Sequence, residues 1–250
     1  MLQETAPDVA AIGAYSSTPA LALNFGVNQA ALGSMRHFAA AVYGEKRFLL
    51  QELSTYHVAV VRPAGDGAFG VHVFYSGSAD YNTMKTGFAY GRNLGKHISL
   101  GVQFDYWNQH IRGYGNEGQV SIEAGVIAHV SDVLHVGFQL SNPATIVMNK
   151  WNQKLPRKYA IGVGYQPSQL ITLVAELIET AKQPLAINAT IEYHMAPKVW
   201  AKAGINSYTK TFFIAGGFQL TDFTIEVVGS VHPQLGLSPG VLLAYNAMDK

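Results

Sequence analysis

Polar and apolar residues alternate with a period of two along most of this chain, segment after segment. From His97 onward, Ile98, Leu100, Val102, Phe104 and Tyr106 share one face, while Ser99, Gly101, Gln103, Asp105 and Trp107 share the other. The split recurs for Val120, Ile122, Ala124, Val126, Ala128 and Val130 against Ser121, Glu123, Gly125, Ile127 and His129. It returns for Leu134, Val136, Phe138 and Leu140, and again over 185–194 and 223–232. Period two over eight or more residues marks a β-strand, because successive side chains leave opposite faces of the pleat. The chain therefore folds as sheet, and the open question is which solvent each face meets.

Turn chemistry sets the strand count. Ala64-Gly65-Asp66-Gly67, Arg92-Asn93-Leu94-Gly95, Ser131-Asp132, Gln166-Pro167-Ser168, Met195-Ala196-Pro197 and Leu220-Thr221-Asp222 read as tight connections. Longer ones fall between them, at 45–52, 77–84, 112–118, 142–155, 180–184, 207–210 and 232–239. Fourteen strands result, at about 37–46, 53–63, 68–77, 84–92, 96–110, 118–130, 133–141, 157–166, 170–179, 185–195, 199–207, 211–220, 223–232 and 240–246.

Composition decides the solvent. Charged residues make up 13% of the chain and hydrophobic ones 48%, whereas an ordinary soluble domain carries about 25% charged residues. A soluble sheet puts Lys and Glu on its outer face, and the polar face here is mostly Gly, Ser, Ala, His and Gln. An even strand count with tight turns at one end and longer loops at the other is the layout of a bacterial outer-membrane barrel, closed so that no strand edge meets hydrocarbon. The expected fold is all-β, a 14-stranded antiparallel up-and-down transmembrane barrel. It comprises an N-terminal luminal plug over 1–36, a barrel over 37–246 and a tail over 247–250. Aromatics near strand ends, among them Tyr43, Phe74, Trp107, Trp151 and Trp200, are expected in the interfacial girdles. Gly13, Pro19, Asn24 and Gly26 interrupt the uncharged stretch 9–35, which makes a poor spanning helix. The first residues show no export signal, and with fourteen strands both termini fall on the periplasmic side.

Phe25-Gly26-Val27-Asn28-Gln29-Ala30-Ala31-Leu32 resembles the N-terminal motif of the FadL-type fatty-acid channels, with Asn28, Gln29 and Ala30 at its centre and Gln29 where that pattern has Pro. Tyr43-Gly44-Glu45-Lys46-Arg47-Phe48, Phe88-Ala89-Tyr90-Gly91-Arg92 and Val136-Gly137-Phe138-Gln139-Leu140-Ser141-Asn142-Pro143 resemble the related PorV/PorQ-type barrels of Bacteroidetes secretion. Both resemblances imply a fourteen-stranded barrel with an N-terminal segment at or inside the lumen. The PorV/PorQ branch implies a scaffold that binds membrane or secreted proteins, and the FadL branch a channel for small hydrophobic compounds. The short outer loops favour the scaffold. The connection 142–155 offers Ile146, Val147, Met148 and Trp151 to a partner or ligand.

Chemistry is expected to be absent. Most of the nine histidines fall on the polar face, including His57, His72, His129, His135 and His194, with Glu123, Glu192 and Glu226 beside them by parity. No His-x-His spacing forces a metal site, and mutual hydrogen bonding in a confined lumen accounts for them. Neither Gly-x-Ser-x-Gly nor His-Glu-x-x-His occurs. No cofactor, metal or catalytic residue is expected. Seventeen basic residues against sixteen acidic ones leave no field for nucleic acid. The partners expected are outer-membrane lipid, other proteins and a hydrophobic small molecule. Inward glycines, at 70, 101, 125, 137, 162, 164, 204 and 217, are expected to make room for the N-terminal segment or for a narrow path.

Overall fold

The computed structural model describes residues 11–16, 21–143 and 155–247, with the side chains of Ala11 and Ile12 excepted. Ile146, Val147, Met148 and Trp151 lie outside the described residues.

A short helix, α1 (Ala11–Ala14), and two 3-10 turns (Ala22–Gly26 and Gln29–Ser34) precede the sheet. Fourteen strands follow: β1 (Ala39–Lys46), β2 (Ser54–Ala64), β3 (Gly67–Gly77), β4 (Tyr81–Leu94), β5 (Ile98–Ile111), β6 (Gly115–His129) and β7 (Leu134–Ser141). The second half comprises β8 (Lys158–Ser168), β9 (Ile171–Thr180), β10 (Ala186–Ala196), β11 (Val199–Asn206), β12 (Thr211–Leu220), β13 (Phe223–His232) and β14 (Gly236–Asn246). Each strand pairs antiparallel with its neighbours in sequence, and β1 pairs with β14 to close the ring, Ala39 opposite Asn246 and Glu45 opposite Gly240. The fold is a closed, up-and-down, fourteen-stranded barrel.

The period-two pattern maps onto the wall. Val58, Val71, Phe88, Val102, Phe104, Phe138, Ile161, Leu177, Ile191, Ile214, Val227 and Leu243 stand exposed on the outside. Between them the chain turns His57, His72, Gln103, Asp105, Glu123, Glu176 and Glu226 inward, all buried. A soluble sandwich inverts this arrangement. Hydrocarbon is the solvent that such an exterior fits, and closure of the ladder leaves it no unpaired backbone.

Two expectations need correction. The loops opposite the tight turns are shorter than expected, because β4, β6 and β14 begin at 81, 115 and 236 rather than at 84, 118 and 240. Gly113, Gly115 and Gly236 take positive φ of 83°, 93° and 90°, left-handed conformations that let the chain reverse within three residues. Several aromatics expected at the membrane interfaces point into the lumen instead. Tyr43, Phe74 and Trp200 are buried, and Trp107 donates its Nε1–H to Ser121 at 2.9 Å. On the inner wall Trp200 bonds to Glu226, and the Phe74 ring packs edge-on against His57. The wall is also uneven in height. Strands β4, β5 and β6 have 14, 14 and 15 residues, while β1, β7 and β11 have 8 each. About 9–11 tilted residues suffice to cross the hydrocarbon, so β4–β6 rise beyond it.

Candidate functional site

Residues 13–16 and 21–35 lie against the inner face of the barrel, and the wall is shaped to them. A Cβ added at Gly101 would overlap the Gln29 backbone, and one at Gly125 would overlap the Asn28 side chain. One at Gly137, Gly162 or Gly164 would run into Tyr15, and one at Gly70 into the Phe25 ring. Six of the eight inward glycines singled out in the sequence therefore face this segment, and Gly204 and Gly217 face the rings of Phe213 and Trp200.

Polar contacts fix the segment. Asn28 is fully buried, its Oδ1 accepting from the Ala30 amide at 3.0 Å as an N-cap. Its Nδ2 points at the carbonyls of Val126 and Phe138, at 3.4 and 3.3 Å. Gln29 donates to the Glu123 carboxylate at 2.7 Å. Ala30 and Ala31 pack on Ile127, an inward apolar residue in an otherwise polar register. Farther up the chain, Tyr15 donates to Glu176 Oε1 at 2.9 Å. Burial first, and then the adjoining carboxylate, hold the Tyr15 phenol well above its usual pKa, so it remains a donor at any physiological pH.

Two charged networks line the wall, and both use the same construction. Neighbouring strands sit about 4.8 Å apart, so short or rigid side chains two strands apart meet where the strand between them offers no bulk. In the first network Gly87 of β4 lies in register with His72 of β3 and Asp105 of β5. A Cβ at Gly87 would overlap both, and in its absence His72 Nε2 reaches Asp105 Oδ1 at 3.1 Å. His72 Nδ1 meets His57 Nε2 at 3.0 Å. Lys85, also buried, stands 3.5 Å from Asp105 and 3.1 Å from Glu123. Glu123 also accepts from Gln139 at 3.1 Å, so with Gln29 and Lys85 three donors hold it.

The second network places Gly217 of β12 in register with Trp200 of β11 and Glu226 of β13. The Trp200 ring lies over Gly217 and donates to Glu226 Oε2 at 2.8 Å. Lys202 Nζ reaches the same oxygen at 2.7 Å, past Ala215, and Glu192 Oε2 at 3.3 Å. His194 Nε2 pairs with Glu192 Oε1 at 2.9 Å. This network borders a cavity of about 600 Å3 at the end of the barrel that carries the tight turns.

The sequence-selected luminal residues thus divide into three places. His57, His72 and Glu123 join the first network, and Glu192, His194 and Glu226 the second. His129 and His135 form a third contact near the tight-turn end, Nδ1 to Nδ1 at 3.0 Å, with Ser99 Oγ 2.8 Å from His129 Nε2. Ser99 is wholly enclosed and its hydroxyl also donates to Asn93 at 2.7 Å, which leaves no approach for a substrate. Sequence reasoning missed Lys85, Tyr15, Asn24 and Gly87. Lys85 shares the parity of Gly87, Ala89 and Gly91 and was legible on that ground. Tyr15 and Asn24 lie where no alternation exists to assign a face. Among the described residues no group of three or more His, Asp or Glu is arranged to hold a metal ion.

The inner wall is not uniformly polar. Val174, Phe213, Ala215, Val228, Leu242 and Ala244 of β9 and β12–β14 form one apolar cluster with Ala39, Ala41, Leu21, Leu23 and Phe25. The lumen is charged along β3–β6 and again at the tight-turn end of β10–β13, and apolar over the rest of the closing strands.

No protein-family model and no curated protein matches this chain. Among solved structures it is similar to the CymD monoaromatic hydrocarbon channel, at 10% identity and a TM-score of 0.69, over 91% of this chain and 93% of that one. It is similar to the Ralstonia pickettii toluene transporter TbuX, at 12% identity and a TM-score of 0.66, over 95% and 97%. It also resembles a Pseudomonas aeruginosa FadL homologue, at 10% identity and a TM-score of 0.64, over 88% and 91%. At such identities the likeness is one of architecture, and the chain shares its barrel fold with these channels over nearly its whole length.

Proposed function

We propose that the protein is a bacterial outer-membrane channel for small hydrophobic compounds, with residues 13–16 and 21–35 forming the internal segment that narrows its lumen. The apolar inner patch of β9, β12–β14 and β1, on which Leu21, Leu23 and Phe25 pack, carries this reading, because a hydrophobic solute that displaces that segment needs a wall that does not have to be desolvated. The likeness to monoaromatic hydrocarbon and toluene channels supports it. That likeness favours it over the partner-binding scaffold; Ile146, Val147, Met148 and Trp151, the scaffold's candidate contacts, lie outside the described residues. The apolar exterior fits the outer membrane, and the tight turns and both termini are assigned to the periplasmic side.

The test is uptake of labelled toluene by Gram-negative cells that express the chain, compared with cells expressing an equal amount of folded barrel carrying Phe213→Arg and Val228→Arg. Faster uptake through the unmodified chain supports the channel. Equal uptake in both strains, together with a protein partner recovered in stoichiometric amount from native membranes, would return the scaffold reading.

A further inference from the structure

We infer that the cavity at the tight-turn end is a binding site for a small organic cation, an ammonium group carried on a compact apolar body. At about 600 Å3 it lies within the roughly 300–1,000 Å3 range of small-molecule sites. Two buried side chains that line it are incompletely bonded. Glu226 is fully enclosed; its Oε2 accepts from both Lys202 and Trp200, and its Oε1 has no partner. Asn24, on the internal segment, is 1% exposed, and neither its Oδ1 nor its Nδ2 has a partner. Buried polar atoms are nearly always bonded, so a free carboxylate oxygen and a free amide oxygen on one cavity point to a ligand that donates.

Charge selects the donor. Lys202 stands between Glu192 and Glu226, two carboxylates against one ammonium, and Asp132 at the rim adds another acidic group. His194 is engaged with Glu192 and leaves Glu226 Oε1 untouched. An anion is repelled there, and a plain hydrocarbon leaves both orphaned oxygens unpaired. An ammonium is a donor that suits such oxygens, and Leu21, Val133 and Pro167 supply the apolar lining for its body. The site is independent of whether the barrel conducts, since it needs only the folded chain.

The test uses the full chain folded in uncharged maltoside micelles and titrated calorimetrically with phenethylammonium and with 2-phenylethanol, the neutral probe of similar shape. The ammonium should saturate a single site at least tenfold more tightly than the alcohol. Glu226→Gln, which leaves Lys202 paired with Glu192, should weaken ammonium binding at least tenfold, and Asn24→Ala severalfold. Heat-modifiable gel mobility verifies that each variant is folded. Equal affinity for the two probes, no saturable binding of the ammonium, or unchanged affinity in folded Glu226→Gln would overturn the inference. Should Glu226→Gln fail to fold, the probe comparison and Asn24→Ala, which lies outside the strand ladder, decide the matter.

Discussion

The internal segment should open when Asn28 and Gln29 are both replaced by alanine. Loss of the Asn28 cap on Ala30 costs about 1 kcal/mol. The two bonds from its Nδ2 are long, at 3.4 and 3.3 Å, and contribute little. Gln29 donates to a buried carboxylate at 2.7 Å, a charge-assisted bond of about 1.5–3 kcal/mol. Because Lys85 and Gln139 continue to hold Glu123, the lower figure applies. Together the pair should cost about 2.5 kcal/mol, or about a sixtyfold rise in the open population at a factor of ten per 1.4 kcal/mol. The chain contains no cysteine, so a single thiol is a clean reporter. Placed as Leu32→Cys, at a wholly buried position, it reacts with a maleimide only when the segment leaves the wall. Under conditions where reclosing outruns labelling, the rate tracks that equilibrium. In phospholipid vesicles the double substitution should raise labelling by between thirty- and a hundredfold (about 2–2.8 kcal/mol at the same conversion). A rise of less than threefold would mean that these two side chains do not hold the segment.

Three further outcomes follow from the same geometry. Val126→Arg and Phe138→Arg place a charge on the outer face and should each impair folding into vesicles by about 2–4 kcal/mol, read by gel mobility, while His129→Gln folds normally. Lys85→Met leaves Asp105 and Glu123 facing one another in a dry site and should destabilise the barrel by about 3–5 kcal/mol; an unchanged urea midpoint would remove that network from the account of stability. Deleting residues 1–34 should leave a foldable ring, since the ladder runs from Ala39 to Asn246, and should raise planar-bilayer conductance; equal conductance would place the segment outside the permeation path.

The barrel was legible because its strongest force acts residue by residue. Each outward side chain meets lipid, so strand after strand repeats the alternation, and β1 to β14 fall within a few residues of their expected bounds. Luminal residues such as His72 and Glu226 were legible by parity for the same reason. What parity cannot give is which inward residues meet. His72 finds Asp105, and Trp200 finds Glu226, only because Gly87 and Gly217 lie on the strands between them, and that depends on register across three strands. Aromatics were misassigned for a related reason. A Trp near a strand end suits a headgroup layer and a luminal carboxylate equally well, and sequence does not separate them. The segment 13–35 has no period at all, so Tyr15 and Asn24 carried no signal.

The seam between β1 and β14 has a consequence for how the protein comes to exist. Its partners, Ala39 with Asn246 and Ala41 with Ala244, come from opposite ends of the ring, so this pairing bears the steepest entropic cost of any in the fold and forms late. Small side chains dominate its inner side, with Ala39, Ala41 and Ala244 in the same cluster as Leu23 and Phe25. The Tyr15 and Phe25 rings rest in hollows left by glycines along the wall. Closing the ring therefore depends on two strands that meet only when both ends of the chain are in place.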